Sequence, residues 1–136
     1  MWCFTINISG ETYIEAGVLY MVTCSVSQYR DNIQTIYMAK LSEADTQTFI
    51  IAHSKSIGCF YQESEHYLPC QSGLCSCDMD GLATHWTYNT SVNLPSTVVF
   101  SCTSEDNNGI IQTSSRWTPT IACKCLVFMF HKCWCC

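Results

Sequence analysis

The chain has 136 residues, of which 48% are hydrophobic and only 12% are charged, and this balance excludes an intrinsically disordered protein. Its length fits a single domain around one core. The net charge of −5 comes from 11 acidic and 6 basic residues, so the chain has no basic stripe for the counterion release that drives nucleic-acid binding. We therefore expect no nucleic acid among its partners.

Alternation of apolar and polar residues dominates the chain, and helical periodicity is weak, so strands are predicted throughout. Residues 18–26 form the first long strand, after a turn at 15–17. Two further strands are predicted at 35–40 and 48–52. The apolar face of the first strand consists of Tyr20, Val22, Cys24 and Val26. We expect that face to be buried.

The stretch 59–81 differs from the rest because turn-forming residues alternate with closely spaced cysteines. It contains Pro69, Gly73, Gly81 and the cysteines Cys59, Cys70, Cys75 and Cys77. An irregular, cysteine-rich insert held by local disulfides is therefore predicted. Four cysteines allow three pairings, although Cys75 and Cys77 point the same way in an extended chain and make poor partners. We favour the pairs Cys59–Cys77 and Cys70–Cys75.

A zinc site is the alternative interpretation of the same stretch. Its ligands would be Cys70, Cys75, Cys77 and either His66 or His85. Zinc takes four tetrahedral nitrogen or sulfur ligands, which are commonly supplied by spaced pairs of cysteines. One Cys-x-Cys with loosely spaced neighbours matches that pattern poorly, so we expect disulfides and no metal.

Three more strands are predicted in the second half of the chain, at 82–92, 97–103 and 110–118. Their apolar faces include Leu82, Trp86 and Tyr88 in the first and Val98, Phe100 and Cys102 in the second. Asn89 has the opposite parity to Tyr88, and we expect it to face solvent.

The tripeptide Asn107-Asn108-Gly109 predicts a type I′ hairpin turn, because Asn-Gly accepts the positive φ angles of that turn. Short strands separated by turns, with no helices between them, are typical of an antiparallel sandwich or barrel. No apolar run reaches the length of about 18 residues that a transmembrane helix needs, so none is expected in this chain.

Cys24 and Cys102 each fall on the apolar face of a predicted strand, so their sulfur atoms can meet between two sheets. Together with the runs that precede them, 15–23 and 96–101, they resemble the bridged cysteines of strands B and F in the immunoglobulin superfamily. The resemblance covers residues 8–122. It implies an all-β, immunoglobulin-like antiparallel β-sandwich with a Cys24–Cys102 disulfide, here carrying the cysteine-rich insert.

Two core positions depart from the superfamily pattern. The tryptophan expected on the strand after the first cysteine is replaced by Tyr37 or its neighbour. The tyrosine expected two residues before the second cysteine is Phe100, which lacks the hydroxyl group. The extra cysteines together with Trp86 resemble divergent, invertebrate members of the superfamily.

The 12 cysteines favour an oxidising compartment, because a reducing cytosol keeps thiols free. Two sequons agree with this, Asn7-Ile8-Ser9 and Asn89-Thr90-Ser91, so Asn7 and Asn89 are candidate glycosylation sites. Residues 1–7 have neither the basic residues nor the apolar run of a signal peptide. We expect the leader to lie outside this sequence and the protein to be extracellular, either secreted or on the cell surface.

Residues 123–136 form a cysteine-rich apolar tail after the predicted domain. Its cysteines are Cys123, Cys125, Cys133, Cys135 and Cys136, which flank a short apolar run. A thiolate cluster for soft metal ions and palmitoylation beside an apolar stretch are two interpretations. The third is a tail that belongs to no packed domain, and we favour this short, unstructured tail.

No catalytic site is predicted. The four histidines are isolated, and His85 alternates with Trp86, so it is expected to face solvent rather than act as a base. Asp78 and Asp80 precede Gly81, but one short acidic pair is far from a complete calcium loop and indicates a polar turn. We expect neither an enzyme nor a cofactor.

The resemblance implies a recognition or adhesion module that binds a protein or glycan partner, as part of a larger cell-surface or secreted protein. Sandwiches of this kind present loops at their ends, so residues 27–35 and 104–109 are the candidate contact segments. The alternative is a soluble, cysteine-rich metal-binding or redox protein. Free thiols would favour the alternative, and a Cys24–Cys102 bridge would favour the module.

Overall fold

A computed structural model describes residues 4–29, 32–43, 45–90, 97–106 and 108–122, and the backbone of 124–125 and 133–134. These residues form strands and turns, and none of them belongs to a helix with the length and apolarity needed to cross a bilayer. The strands are β1 (Ile6–Gly10), β2 (Tyr13–Glu15), β3 (Leu19–Val26), β4 (Ile33–Ser42), β5 (Thr46–Ser54), β6 (Gly58–Glu63), β7 (His66–Pro69), β8 (Cys75–Cys77), β9 (Ala83–Asn89), β10 (Val98–Glu105), β11 (Ile111–Thr113), β12 (Thr120–Ala122), β13 (Lys124–Cys125) and β14 (Cys133–Trp134).

Two antiparallel sheets account for most of the strands. One has four strands in the order β1-β3-β9-β8, and the other has six in the order β11-β10-β4-β5-β6-β7. In addition, β2 pairs with β12 in parallel, which brings the early part of the chain beside residues 120–122. Strands are confirmed within the predicted ranges 18–26, 35–40, 48–52 and 97–103. The strand predicted at 82–92 is confirmed over Ala83–Asn89, and residues 91 and 92 lie outside the described residues.

The core lies between the two sheets because alternate residues of β3 and β10 point to the same interior. Val22 and Cys24 are buried on β3, and Phe100 and Cys102 are buried on β10. A disulfide joins Cys24 to Cys102, with their Cα atoms 6.1 Å apart, and thereby links the four-stranded sheet to the six-stranded sheet.

Trp86 supplies the large core ring from β9. It stacks on Phe49 of β5, with ring centroids 5.3 Å apart and planes at 10°, and it meets Phe100 edge-on at 6.2 Å. Tyr37 is only partly buried, whereas its neighbour Met38 is 1% exposed and lies opposite Cys102 in the register. Met38 therefore stands at the position where the tryptophan was expected, and the large ring in the core comes from Trp86 of the other sheet.

The prediction of an irregular insert at 59–81 is wrong, because this stretch contributes three strands. Strands β6 and β7 extend the six-stranded sheet, and β8 forms the edge of the four-stranded sheet. Pro69 is accommodated because β7 is an edge strand, where a missing amide hydrogen costs no ladder bond. Gly73 has a φ of 87°, which allows the turn before β8.

The predicted type I′ turn is also wrong. Asn108 is not among the residues with positive φ, whereas Gly109 has a φ of 79°. The Asp106 carboxylate accepts hydrogen bonds from the amides of Asn108 (2.9 Å) and Ile110 (2.8 Å). The aspartate side chain, which binds two amides ahead of it, organises the loop, and among its described residues only the glycine is left-handed.

The closing strand predicted at 110–118 is interrupted. Strand β11 ends at Thr113, and pairing with β10 resumes in the bridge between Trp117 and Phe100. At the interruption, the Ser114 hydroxyl accepts a hydrogen bond from the amide of Cys102 at 2.9 Å. A side-chain oxygen therefore replaces a backbone carbonyl in the ladder, which keeps the buried amide satisfied.

Both ends of the predicted domain differ from expectation. Strand β1 begins at Ile6, which is 7% exposed, and Phe4 packs against the core, so the ordered structure starts before residue 8. In the tail, β13 pairs with β14, so these four residues are not unstructured. The interpretations of the tail cysteines as metal ligands or lipidation sites concern side chains outside the described residues.

Candidate functional site

All six cysteines whose side chains are described form disulfides. Besides Cys24–Cys102, the bridges are Cys59–Cys77 and Cys70–Cys75, with Cα atoms 5.8 Å and 5.2 Å apart. These are the pairs favoured from the sequence. The zinc interpretation of Cys70, Cys75 and Cys77 is wrong, because a bridged sulfur has no thiolate to offer. The described residues contain no cluster of three or more potential metal ligands.

Both sequon asparagines lie on one side of the molecule. Asn7 is exposed on β1 opposite Ser25, and Asn89 is exposed at the end of β9 opposite Leu19. Successive strand residues point to opposite faces, and Cys24 points inward, so both asparagines point outward from the four-stranded sheet. Ser91, which completes the second sequon, lies outside the described residues, and glycan attachment stays a prediction.

His85 also lies on this outward face and is less exposed than expected, at 20% of its side chain. Its Nδ1 is 2.8 Å from the hydroxyl of Thr23, and its Nε2 is 3.0 Å from the Asp78 carboxylate. An ionised carboxylate only accepts hydrogen bonds, so Nε2 is the donor to Asp78, and Nδ1 lies within hydrogen-bonding distance of the Thr23 hydroxyl.

The order hydroxyl, imidazole, carboxylate is the one that hydrolases use to activate a nucleophile. Here, however, the three groups lie on an open sheet face, and the two described cavities are lined by other residues. The hydrogen bonds connect β3, β9 and the turn after β8. We therefore interpret the three side chains as a structural contact that holds these elements together.

The Asp78–Asp80 turn matches the expected polar turn. The Asp80 carboxylate accepts a hydrogen bond from the amide of Leu82 at 2.9 Å, and the Asp78 carbonyl accepts one from Gly81 at 2.9 Å. Gly81 has a φ of 72°, and a Cβ atom there would lie only 2.4 Å from Nδ1 of His53. The turn therefore requires glycine for both its conformation and its close packing.

The outer face of the six-stranded sheet has a different composition. It comprises the side chains that alternate with the buried residues of β4, β5, β6, β7, β10 and β11. Its large apolar members are Ile33, Tyr37, Leu41, Ile50, Phe60, Tyr67 and Ile111. Among the outward positions of these six strands, only Glu105 is charged. Of these, Ile33, Leu41, Tyr67 and Ile111 are exposed and the other three are partly buried. Exposed apolar side chains that gather on one face are typical of interaction sites.

A depression with a volume of about 540 Å³ lies at one end of this outer face. Its walls are formed by Ile33, Thr35, Ala52, Ser54, Ile57, Phe60, Tyr67 and Glu105. The start of β4, the turn from β5 to β6, and the end of β10 meet there. The volume is within the range of about 300–1,000 Å³ that is typical of ligand pockets.

The depression brings together parts of both predicted contact segments. Ile33 and Thr35 belong to 27–35, and Glu105 belongs to 104–109. Residues 30, 31 and 107 of those segments lie outside the described residues. The sequence missed the contributions of β5, β6 and β7, and their common signal was an outward apolar position in a strand, which a prediction of irregular structure at 59–81 concealed.

Tyr29 and Lys55 pack together near this end of the sheet. The Tyr29 hydroxyl donates to the carbonyl of His53 at 2.5 Å, and the Lys55 ammonium lies 4.7 Å from the centroid of the Tyr29 ring. Burial raises the pKa of Tyr29 above its usual value of 10.0, which keeps its hydroxyl protonated as a donor. Lys55 is thus held by a cation–π contact.

A second depression, with a volume of about 390 Å³, is lined by residues of β2 and β3 and of the segments beside them. Leu19 in its wall lies opposite the glycosylation candidate Asn89.

Comparison with known proteins assigns the chain to no family: no protein-family model matches it, and no curated protein matches it.

Proposed function

We propose that the chain is an extracellular recognition domain with an immunoglobulin-like sandwich of the variable type. The strand order supports this fold. The order β1-β3-β9-β8 in the smaller sheet corresponds to strands A-B-E-D of that fold. The order β11-β10-β4-β5-β6 in the larger sheet corresponds to G-F-C-C′-C″. The Cys24–Cys102 disulfide occupies the place of the B–F bridge. Strand β7 then continues the C″ side of the larger sheet.

An extracellular location is supported by the three disulfides, because reducing compartments rarely allow them to persist. The sequons at Asn7 and Asn89 fit the same environment. The alternative of a metal-binding or redox protein gains no support from the six cysteines described, since all of them are bridged.

The binding surface in this proposal is the outer face of the six-stranded sheet. The observation that carries it is the contrast between the two outer faces. Both outer faces expose apolar side chains, Leu19 and Met21 among them on the four-stranded sheet, but only the four-stranded sheet carries sequons, so glycans would cover that face and leave the six-stranded sheet open. A protein or glycan partner would therefore meet the outer face of the six-stranded sheet.

Glycans attached at engineered sequons test this assignment, because a bulky glycan blocks any partner that binds the face carrying it. The secreted domain, displayed as a tetramer, is screened against arrays of purified ectodomains and of glycans. The double substitution Tyr37→Asn/Ala39→Thr creates a sequon in the middle of the six-stranded sheet. Met21→Asn creates one at the exposed position 21 of the four-stranded sheet, because Thr23 already follows, and provides the matched control.

We expect binding to at least one array member, loss of that binding with the glycan at position 37, and retention with the glycan at position 21. Mass measurement establishes that each new sequon is occupied, and a thermal melt establishes that each variant is folded. Absence of any binding, or blockage by the control glycan alone, would contradict the proposal.

A further inference from the structure

We propose that the depression lined by Glu105 binds an arginine or lysine side chain of a protein partner, flanked by apolar residues of that partner. The inference rests on the proposed recognition function and names the chemistry of the partner. The observation behind it is that the Glu105 carboxylate is the one charged group among the described residues of a largely apolar wall.

Glu105 has no cationic partner among the described residues. The ion pairs of the described chain, Lys40–Asp45 and His85–Asp78, involve other residues, and no described side chain donates a hydrogen bond to the Glu105 carboxylate. Lys55, next to Ser54 of the wall, directs its ammonium to the Tyr29 ring instead. The charge of Glu105 is therefore available to an external cation.

The surroundings of Glu105 determine which partner fits. Ile33, Ile57 and Phe60 form apolar parts of the wall, so a partner that covers the depression removes water from the carboxylate. A carboxylate that loses water without gaining a charged partner is strongly disfavoured, and an acidic partner adds repulsion. A cation with apolar neighbours offsets this cost and contacts the rest of the wall.

Arginine matches the remaining groups best. The hydroxyl oxygen of Thr35 in the wall can accept a hydrogen bond, and Tyr67 presents an aromatic side chain, whereas the Ser54 hydroxyl is bonded to Ser56. Guanidinium has five donors in a planar fork and stacks on aromatic faces, so it can pair with Glu105 and use these groups as well. Lysine satisfies the charge but fewer of the acceptors.

A second copy of this chain is a poorer occupant. The outward positions of the six strands include no lysine or arginine, so two copies that packed through these faces would bury Glu105 without a cation. Charge complementarity therefore favours a different, basic partner over self-association.

Matched peptides test the inference on the full chain. The probes are acetyl-Leu-Arg-Phe amide and the same peptide with citrulline, which keeps the shape of arginine but is uncharged. Amide chemical shifts of the labelled protein give the affinity and location of each. We expect the arginine peptide to shift the amides around the depression and to bind about tenfold more tightly than the citrulline peptide.

Glu105→Gln should abolish the preference for arginine, whereas Glu15→Gln, at an exposed position on β2, should keep it. Added salt should weaken arginine binding to the wild type. Equal affinity for the two peptides, an unchanged preference in Glu105→Gln, or a dimer in ultracentrifugation that protects Glu105 would each overturn the inference.

The two proposals fail in different ways. If the glycan at position 37 blocks an array partner but Glu105→Gln binds that partner and both peptides like the wild type, the recognition face stands and the cation site falls. If the arginine peptide binds at Glu105 while no array member binds, the cation site stands and the recognition function falls.

Discussion

Tyr20 has a hydroxyl group that connects two distant parts of the chain. The Tyr20 hydroxyl donates to the carbonyl of Glu11 at 2.5 Å and accepts a hydrogen bond from Nε1 of Trp117 at 2.7 Å. Its ring stacks on Phe100, with centroids 5.6 Å apart. Burial raises the pKa of Tyr20 above 10.0, so the hydroxyl remains a donor. The bond to Trp117 spans 97 positions, which explains why inspection of the sequence around Phe100 did not reveal it.

Gly10→Ala tests how tightly this group is held. A Cβ atom at position 10 would lie 2.6 Å from the Tyr20 hydroxyl oxygen and 3.1 Å from Nε1 of Trp117. We expect a loss of about 1–3 kcal/mol in the free energy of unfolding, measured by chemical denaturation, because the clash forces two bonded groups apart.

Tyr20→Phe provides the control for Gly10→Ala, since it removes the oxygen that the new methyl group meets. In that background the same substitution should cost clearly less. An equal cost in both backgrounds would show that the clash with the hydroxyl is not what makes glycine necessary.

Asp45 gives the stability a defined dependence on pH. Hydrogen bonds from Ser42 (3.0 Å) and then the ammonium of the buried Lys40 (3.3 Å) lower the pKa of Asp45 below 3.8. A lowered pKa contributes stability that is present above pH 3.8 and is lost as the pH falls through the folded-state pKa.

Asp45→Asn should therefore unfold at lower urea concentration than the wild type at pH 7. The difference should shrink as the pH falls below 3.8, where the wild-type carboxylate takes up a proton. Urea titrations between neutral and strongly acidic pH measure it. A difference that stays constant throughout would rule out the carboxylate charge as its source.

At the scale of elements, the strength of alternation decided what could be predicted. Strands β3 and β10 alternate between core and surface, so their buried residues stand out in the sequence. All four residues of β7 are exposed, so it shows no alternation. Strands β6 and β8 belong to different sheets, which only the three-dimensional structure relates.

The Cys59–Cys77 disulfide makes this edge region a second connection between the sheets. It joins β6 to β8 across a loop of 18 positions. Chain-entropy arguments assign such a loop about 3 kcal/mol, against about 2 kcal/mol for the loop of 5 positions closed by Cys70–Cys75. The shorter bridge serves as the matched control.

Cys59→Ala/Cys77→Ala should lose the larger amount of stability, and hydrogen exchange should accelerate in β6, β7 and β8 while β3 and β10 stay protected. Cys70→Ala/Cys75→Ala should lose less and leave β6 protected. Equal losses, or loss of protection throughout the core, would contradict a local role for the edge bridge.

For the whole molecule, the sequence predicted what depends on one strand at a time. The inward directions of Cys24 and Cys102 follow from strand parity, and so does the outward direction of Asn89. The depression does not, because it requires β4, β5, β6, β7 and β10 to lie side by side. A surface composed from five strands has no signature in any one of them, which is why Phe60 and Tyr67 were missed.

The central disulfide should control the cooperativity of the entire domain. Cys24–Cys102 closes a loop of 78 positions, for which the chain-entropy model gives about 4–5 kcal/mol. Stabilities of whole domains are about 5–15 kcal/mol, so this bridge accounts for a large share. Trp86 and Phe49 also stack between the same sheets, in a contact that does not involve either cysteine.

We therefore expect Cys24→Ala/Cys102→Ala to lose hydrogen-exchange protection in both sheets together, unlike the edge variant. Its denaturation midpoint should fall further than that of Cys59→Ala/Cys77→Ala, since its loop is longer and both sulfurs are fully buried. If the edge variant proved the less stable of the two, the sheets would be held mainly at β6 and β8, and the central bridge would not be the determinant of this fold.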